Sequence, residues 1–294
     1  MKGLYKFVML GALLVALFVL GACSPGAPAA PASVASAIPE ITIKALDFSY
    51  TVPTQIQSGL VTINMVNDGK EPHQAQMARL NDGVTMDQLM TTLQKGPETA
   101  ALALITLAGG PNTVSAGKNQ KVTLNLTAGN YVLLCFVSGD DNVPHLAKGM
   151  IAPLQVAAAP PSAAGAPPAS MAEPKSDGTI TLKDFAIAVP SDIKPGAHIF
   201  KVSNDGPEPH EMTLFKLTEG KTEADFNAFL QSQTPSGPPP FEPAGGIVGL
   251  NPGASGWVHL DLTPGTYIAL CFIPSPATGK SHVESGMITA FAVK

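Results

Sequence analysis

The residues best suited to chemistry in this chain of 294 residues are a cysteine, a histidine and a methionine that recur in the same order. They lie in "CFVSGDDNVPHLAKGM", residues 135–150, and again in "CFIPSPATGKSHVESGM", residues 271–287. Another histidine precedes each cysteine, His73 by 62 positions and His210 by 61. Thiolate, imidazole and thioether groups are all metal ligands, so the repetition predicts two metal sites of the same kind.

The donor types favour copper over zinc. Sulfur ligands suit Cu(I) and imidazoles also accept Cu(II), and two histidines with one cysteine and a distant methionine form the ligand set of type 1, or blue, copper. Zinc sites are built from cysteine, histidine and carboxylate ligands and do not call for methionine. We predict two type 1 copper ions, one held by His73, Cys135, His145 and Met150, and the other by His210, Cys271, His282 and Met287.

Other interpretations of these residues are open at this stage. A single histidine is more often a surface or core residue than a ligand, and methionines usually serve packing. Cys135 and Cys271 could form a disulfide in an oxidising compartment if their Cα atoms lay within about 6 Å. Both copies could also keep the fold and bind no metal. Against these alternatives, four of the six histidines fall in repeated positions, and all eight ligand positions are retained.

The repetition extends through two segments of nearly equal length, residues 41–156 and 180–294. "ITIKALDFSYTVP" in the first segment corresponds to "ITLKDFAIAVP" in the second, "NDGKEPH" to "NDGPEPH", and "LTAGNYVLLCF" to "LTPGTYIALCF". The chain is therefore predicted to be a tandem duplication with one domain for each segment.

Two stretches rich in proline and alanine flank the first domain. Residues 23–40 precede it, and residues 157–179 separate it from the second domain. This composition favours solvated, semi-extended linkers, and at roughly 3 Å per residue the second linker could hold the domains about 60 Å apart. We expect the two domains to tumble independently.

Alternating hydrophobicity predicts β-strands in both domains. Apolar and polar residues alternate in "KVTLNLTAG" and in "WVHLDLTPG", and a turn and an apolar strand ending at the cysteine follow each of them. One helix is expected in each domain, after Thr85 with Gln88 in a capping box and after Thr222. The prediction is an all-β protein of two Greek-key β-sandwich domains in tandem, each with a short helical insert.

Both domains resemble cupredoxins of the plastocyanin, azurin and auracyanin type over essentially their whole length. The resemblance rests on three motifs. They are a Pro-His pair after an Asn-containing strand, a Gly-x-Tyr-x-x-x-Cys segment, and a histidine followed after four residues by a methionine, with glycine directly before the methionine. The matching residues are Pro72-His73, Gly129, Tyr131, Cys135 and His145 to Met150, and then Pro209-His210, Gly265, Tyr267, Cys271 and His282 to Met287. The resemblance implies cupredoxin-like domains in which a distant strand supplies the first histidine and one loop supplies the other three ligands.

Two features depart from the common pattern of that family. Nine residues separate the cysteine from the histidine in the first domain and ten in the second, where most cupredoxins have a shorter spacing. Many cupredoxins also have an asparagine after the first histidine, where this chain has Gln74 and Glu211. Hydrogen bonding around the cysteine, and with it the reduction potential, is expected to differ accordingly.

The N-terminus is typical of an exported lipoprotein. Lys2 and Lys6 precede the apolar run "FVMLGALLVALFVLGA", and the stretch "LGAC" resembles the lipobox of bacterial lipoproteins. Residues 1–22 would be the signal peptide and Cys23 the acylated first residue of the mature protein, with an ordinary cleaved signal as the alternative. Acyl chains on Cys23 would anchor the chain to a membrane. The predicted location is extracytoplasmic, on the periplasmic or cell-surface face.

Charge and motifs narrow the functional class. A net charge of −5 at pH 7 argues against nucleic-acid binding, which needs a basic surface. Multicopper oxidases and copper nitrite reductases are also built from tandem cupredoxin domains, and they couple the blue site to a second copper centre through a histidine beside the cysteine. Leu134 and Leu270 occupy that position here, and the chain contains no His-x-His pair. We therefore predict that the chain is not an enzyme.

The predicted function is that of an electron carrier, with redox proteins as partners and no small-molecule substrate. By analogy with the family, electrons would leave at an exposed edge of His145 and of His282. Copper storage or delivery is the alternative, and it would require exposed tracts rich in methionine or histidine. The chain offers only scattered methionines such as Met77 and Met212. A metal-free interaction module is the remaining alternative.

Overall fold

A computed structural model describes residues 37–96, 98–139, 141–160, 171–232 and 237–294. The predicted signal peptide and Cys23 lie outside these residues, as does the centre of the second linker, residues 161–170. None of the helices in the described ranges has the length and apolar character needed to cross a membrane. Most of the secondary structure is β-sheet, which confirms the all-β prediction.

The first domain contains two groups of strands with α-helices between them. The strands are β1 (Glu40–Leu46), β2 (Ser49–Thr51), β3 (Gln55–Gln57), β4 (Gly59–Asn67), β5 (Gln76–Leu80), β6 (Ile105–Leu107), β7 (Asn119–Leu126), β8 (Gly129–Leu134) and β9 (Ile151–Ala157). The helices, both between β5 and β6, are α1 (Met86–Lys95) and α2 (Glu98–Leu102).

The second domain repeats this order with small changes. Its strands are β10 (Gly178–Lys183), β11 (Ala186–Ala188), β12 (Gly196–Asn204), β13 (His210–Leu217), β14 (Phe241–Leu250), β15 (Ser255–Leu262), β16 (Gly265–Leu270) and β17 (Ile288–Val293). Its α-helix is α3 (Glu223–Gln231).

Each domain is a sandwich of two sheets. In the first domain β7, β4, β1 and β2 lie side by side in one sheet, and β3, β9, β8, β5 and β6 form the other. In the second domain β11, β10, β12 and β15 form one sheet, and β14, β13, β16 and β17 form the other. The side chains predicted to face the core of β7 and β15 are buried: Val122, Leu124, Leu126, Val258, Leu260 and Leu262. The period of two along these strands therefore positions the inner faces as expected.

The capping box predicted at Thr85 is confirmed, and so is a helix after Thr222. Thr85 Oγ1 accepts a hydrogen bond from the Gln88 N–H at 3.2 Å, and Gln88 Oε1 accepts from the Thr85 N–H at 2.8 Å. Thr222 and Asp225 make the reciprocal pair at the start of α3. Helix α2 is missing from the sequence-based prediction, because five residues are too few to show a helical period.

The two domains form one compact unit, so the expectation that they tumble independently is wrong. Strand β7 pairs antiparallel with β15, and a single eight-stranded sheet therefore crosses both domains. Segments 107–113 and 245–251 also pair across the boundary, through backbone hydrogen bonds of 2.9–3.3 Å. The composition of a linker does not predict whether the neighbouring domains have exposed strand edges. Here the edges of β7 and β15 pair with each other and join the domains.

The contact between the domains has local two-fold symmetry. The register of β7 against β15 is Thr123 to Trp257, Val122 to Val258 and Lys121 to His259. Val122 and Val258 occupy equivalent positions in the two repeats, so the local axis passes between them. Equivalent surfaces meeting in this way are the pattern of a symmetric dimer interface, here within one chain.

Candidate metal centres

The predicted ligands of the first domain lie at the ends of three strands. His73 follows β4 in a loop bridged to Val114, and Cys135 follows the last residue of β8. His145 begins a 3-10 turn, and Met150 immediately precedes β9. All four side chains are fully buried.

The second domain places its predicted ligands in the same way. His210 is the first residue of β13, and Cys271 follows the last residue of β16. His282 precedes a 3-10 turn, and Met287 immediately precedes β17. These four side chains are also fully buried.

Backbone hydrogen bonds fix the ligand loop despite its length. In the first domain the His145 N–H donates to the Val137 carbonyl at 2.8 Å, and the Leu146 N–H donates to the Cys135 carbonyl at 2.9 Å. The Cys135 N–H donates to the Met150 carbonyl at 3.3 Å. The second domain has the corresponding bonds at 2.8–3.2 Å. The additional residues of the loop lie between these fixed points, and the bonds hold the cysteine, histidine and methionine of each loop in place.

Site one, defined as His73, Cys135, His145 and Met150, brings three donor atoms to one point. The Nδ1 atoms of His73 and His145 lie 3.0 Å apart. Cys135 Sγ is 4.0 Å from the Nδ1 of His73 and 3.5 Å from that of His145. Ligands that share one ion at bond lengths of about 2.0–2.3 Å are separated by such distances.

Site two, defined as His210, Cys271, His282 and Met287, has the same geometry. The two Nδ1 atoms are 3.0 Å apart, and Cys271 Sγ is 3.4 Å from the Nδ1 of His282. In each site the two imidazole nitrogens and the thiol sulfur all lie within 4.8 Å of one another. Each methionine belongs to the same buried cluster as its cysteine. Cys135 and Cys271 are free thiols, so no disulfide joins them.

A carboxylate contacts the outer nitrogen of all four histidines. The pairs are His73 Nε2 with Asp47 at 3.2 Å, His145 Nε2 with Glu71 at 2.8 Å, His210 Nε2 with Asp184 at 2.6 Å, and His282 Nε2 with Glu208 at 2.9 Å. An ionised carboxylate only accepts hydrogen bonds, so Nε2 carries the proton and Nδ1 presents its lone pair to the site. The carboxylates therefore fix the tautomer that a metal ligand needs.

Glycine is required where the aspartate approaches the first histidine. A Cβ atom on Gly69 would lie 2.5 Å from Asp47 Oδ1 and 2.7 Å from His73 Nε2. Gly206 meets the same crowding in the second domain. The glycine of the repeated "NDG" segment is thus explained by contact with the histidine–carboxylate pair.

Sequence analysis found the histidines but missed their carboxylates. Asp47 precedes His73 by 26 positions and Glu71 precedes His145 by 74, and the second domain repeats both separations. The available signal was the repeat itself, because Asp-Phe recurs in "ALDFSY" and "LKDFAI" and Glu-Pro-His recurs in both copies.

An aromatic ring and a carboxylate cover the last histidine of each site. Phe48 packs against His145 with ring centroids 5.2 Å apart, and Phe185 packs against His282 at the same distance. Both histidines are fully buried. The expectation that these two histidines show an edge to solvent is therefore wrong, because a phenylalanine ring and a glutamate carboxylate cover each imidazole.

Burial sets the protonation of the donor atoms. Desolvation lowers the pKa of His73 and of His210 below the ordinary 6.5, which keeps both imidazoles neutral. Burial raises the pKa of the Cys135 thiol to about 11. Burial and the nearby Glu211 carboxylate raise the pKa of the Cys271 thiol. These thiols ionise readily only beside a compensating cation, as in a metal site.

Site one has a tyrosine beside its sulfur. The Tyr50 hydroxyl donates a hydrogen bond to the Gln74 carbonyl and also interacts with Cys135. Burial dominates the pKa of Cys135, and the interaction with Tyr50 acts in the opposite direction. Ile187 occupies the equivalent position in the second repeat, so site two lacks this hydroxyl.

Site two has a carboxylate beside its sulfur. The Glu211 N–H donates to Cys271 Sγ at 3.4 Å, and Glu211 Oε1 accepts a hydrogen bond from the Phe272 N–H at 2.9 Å. The Glu211 side chain is 7% exposed, and the equivalent Gln74 is 8% exposed. A neutral amide in site one thus corresponds to a buried carboxyl group in site two.

No protein-family model matches the sequence, and no curated protein matches it. Among solved structures it resembles auracyanin from Roseiflexus castenholzii, with 20% identity over 42% of this chain and 100% of that chain, at a TM-score of 0.28. It also resembles auracyanin A, a "blue" copper protein from Chloroflexus aurantiacus, with 21% identity over 40% of this chain and 97% of that chain, at a TM-score of 0.28.

A structure described as a multicopper oxidase is similar across both domains. It shares 14% identity over 87% of this chain and 88% of that chain, at a TM-score of 0.25. A copper nitrite reductase from Nitrosomonas europaea shares 13% identity over 87% of this chain and 93% of that chain, at a TM-score of 0.24. The case for function therefore rests on the chain's own residues.

Proposed function

We propose that this chain is a membrane-tethered, extracytoplasmic copper protein that carries electrons through two type 1 copper sites. The observation that supports the proposal is the occurrence of two buried groups of two histidines and a cysteine, each with a methionine at the end of the same loop. Two imidazoles, a thiol and a thioether fit copper in both of its common oxidation states. Bound copper would supply a one-electron cycle between Cu(I) and Cu(II).

The chain holds its donor atoms in place through backbone and side-chain contacts. The ligand loop is fixed by backbone hydrogen bonds, and each imidazole is oriented by a carboxylate. All four predicted ligands of each site are removed from water. A rigid, dry site changes little when its ion gains or loses an electron, and this favours rapid electron transfer over exchange of the metal.

Leucine beside each cysteine supports a carrier over an enzyme. Leu134 and Leu270 end β8 and β16 and are fully buried on the side of the sheet opposite the cysteine, in clusters that include Leu89 of α1 and Phe226 of α3, respectively. In the tandem copper enzymes considered above, that position supplies a histidine to a second copper centre. Each site here is built to exchange electrons without a substrate that binds the metal.

Acylation at Cys23 would tether both domains to a membrane face. The proline- and alanine-rich residues 23–40 would then space them from the lipid. The partners of such a carrier are redox proteins in the periplasm or at the membrane. Mass spectrometry of the mature chain tests the tether, because diacylation of Cys23 supports it and an unmodified N-terminus after residue 22 contradicts it.

Copper titration of the purified chain tests the electron-carrier function. We expect two intense visible absorption bands to develop as about two equivalents of Cu(II) bind. Cys135→Ser should abolish one band and Cys271→Ser the other, because the colour arises from the thiolate bound to copper. Copper uptake without colour would favour storage or delivery, and absence of uptake would favour a metal-free module. Either result would contradict the proposal.

A further inference from the structure

A path of polar contacts and covalent bonds leads from the sulfur of site one to the domain boundary. The Gln74 N–H lies close enough to Cys135 to lower the pKa of that thiol, and Thr113 Oγ1 donates to Gln74 Oε1 at 3.2 Å. Thr113 is covalently joined to Asn112, and its N–H also donates to Asn112 Oδ1 at 2.6 Å. The path therefore reaches Asn112 without passing through solvent.

Asn112 carries the path into the second domain. Its Nδ2 donates to Thr213 Oγ1 at 2.9 Å and to the Met212 carbonyl at 3.3 Å. Met212 is covalently joined to Glu211, whose N–H donates to Cys271 Sγ at 3.4 Å. No residue on the path is more than 8% exposed. We call the residues between the two cysteines the bridge path: Gln74, Thr113, Asn112, Met212 and Glu211.

The bridge path breaks the local symmetry of the domain contact. Val248 and Gly249 stand in the second repeat where Asn112 and Thr113 stand in the first. Neither carries a polar side chain, so the symmetry-related path is missing. Val248 also shows that an apolar residue fits this place in the fold. Packing alone therefore does not account for the fully buried amide of Asn112.

The surroundings of the two sulfurs give the path a direction. Oxidation adds one positive charge to a site, and the ionised form of the Glu211 carboxyl group, which acts electrostatically on Cys271, favours that added charge. The equivalent position in site one holds the neutral Gln74, and the Tyr50 hydroxyl, which donates to the Gln74 carbonyl, lowers the pKa of Cys135. Site two should therefore have the lower reduction potential.

We infer that an electron entering at site two passes within the molecule to site one along the bridge path, with Asn112 as the link between the domains. One electron moves in each event. Cu(I) at site two becomes Cu(II) while Cu(II) at site one becomes Cu(I), and no proton or covalent bond changes place. The inference rests on the proposed function, and it assigns site two to the electron donor and site one to the acceptor. Coupling through a contiguous network of this kind is testable by cutting single links.

The order of the potentials is measured first, in chains that keep one site each. Cys271→Ser reports site one and Cys135→Ser reports site two, by spectroelectrochemistry of the blue band. We expect site one to hold the electron with about a tenfold preference, which corresponds to about 59 mV for a one-electron couple. Equal potentials, or a higher potential at site two, would overturn the direction of transfer.

Transfer along the path is then measured in the fully copper-loaded chain. A laser pulse that releases less than one equivalent of a small reductant starts the reaction, and absorbance follows the electron as it moves between the sites. Asn112→Val and Thr113→Val each remove one link, so both should slow the concentration-independent phase severalfold. Both potentials and both blue bands should stay unchanged, which a general loss of structure would not allow.

Asn251→Ala is the matched control for a broken path. Asn251 Oδ1 accepts a hydrogen bond from the Leu107 N–H at 2.9 Å, so it also links the domains, but it lies off the bridge path. This variant should transfer electrons at the unaltered rate. Amide hydrogen exchange of the metal-free chains shows whether each variant keeps its fold. If Asn112→Val and Thr113→Val transfer as fast as Asn251→Ala while both blue bands are present, the path is refuted and the electron-carrier function stands.

Discussion

Sites one and two share the surroundings of their histidines and differ in the surroundings of their sulfur. In both, a carboxylate contacts each histidine at the same sequence separations, and a phenylalanine lies 5.2 Å from the last imidazole. Beside the cysteine, Tyr50 and Gln74 of site one correspond to Ile187 and Glu211 of site two. The shared features hold the donor atoms, and the features that differ act on the charge of the sulfur. The two copies thus share the contacts of the proposed ligands and differ in the groups that would tune the potential of a bound ion.

Removal of a histidine-bound carboxylate should have the largest effect, and the effect should be equal in the two domains. Glu71→Gln should weaken copper binding at site one by about 10–100-fold, and Glu208→Gln should do the same at site two. The reason is that the glutamine amide no longer enforces the imidazole tautomer. Competition against a chelator of known affinity measures the loss, with the exposed Glu242→Gln as control. A large loss in one domain and none in the other would show that the shared features are not equivalent.

Exchange of the residues after the first histidine should come next in size. Glu211→Gln replaces the buried carboxyl group beside Cys271 with a neutral amide. The redox equilibrium of site two should shift about tenfold toward the reduced state, which raises its potential by about 59 mV. Gln74→Glu should lower that of site one by a similar amount. The double variant, with both residues exchanged, should reverse the order of the two reduction potentials. Spectroelectrochemistry of each variant measures the change. If neither substitution changes a reduction potential, the residue after the first histidine does not distinguish the two sites.

The tyrosine beside Cys135 should have a smaller influence. Tyr50→Phe removes the hydroxyl near the sulfur and should lower the potential of site one by less than Gln74→Glu does, because a neutral dipole acts more weakly than a full charge. Tyr131→Phe is the matched control, since its hydroxyl donates to the Thr127 carbonyl at 3.1 Å, away from the sulfur. If the two variants behave alike, the hydroxyl of Tyr50 has no electronic role.

The pH dependence of stability should be the weakest effect and should have the same sign in both sites. His73 and His210 have a folded-state pKa below 6.5, so the unfolded metal-free chain binds more protons as the pH falls through that value. The stability that they contribute is complete above pH 6.5 and is lost below it. The urea midpoint of the metal-free chain should therefore be lower at about pH 5.5 than at about pH 7.5. His73→Gln should reduce this difference, and an unchanged difference would count against a neutral buried His73.

The sequence contains enough information for the donor atoms but not for what surrounds them. His73, Cys135 and their counterparts were predictable because ligand types recurred at nearly constant spacing in two copies. Asp47 and Glu71 were not, because a carboxylate in a loop is ordinarily solvated and its distance along the chain gives no hint of contact. The buried state of His145 follows from Glu71 and Phe48 together, so it could not be read from the histidine alone.

The arrangement of the domains was the least predictable feature. The strand patterns predict the two sandwiches, the capping box at Thr85 predicts the start of α1, and the helical spacing after Thr222 predicts α3. Pairing of β7 with β15 depends on backbone edges, which have no side-chain signature in the sequence. A proline-rich linker is compatible with domains that touch and with domains that are separate. In this structure the pairing of their strand edges holds the two domains together.

The axis between Val122 and Val258 implies how a severed half would behave. The first domain alone would leave the edge of β7 with unpaired amide and carbonyl groups. These groups would be free to pair with the same strand edge of a second molecule. Each half should therefore self-associate into a two-copper homodimer. In a dimer of the first domain both copies would have Asn112, and in a dimer of the second domain both copies would have Val248. The asymmetry between the two domains of the whole chain would then be lost.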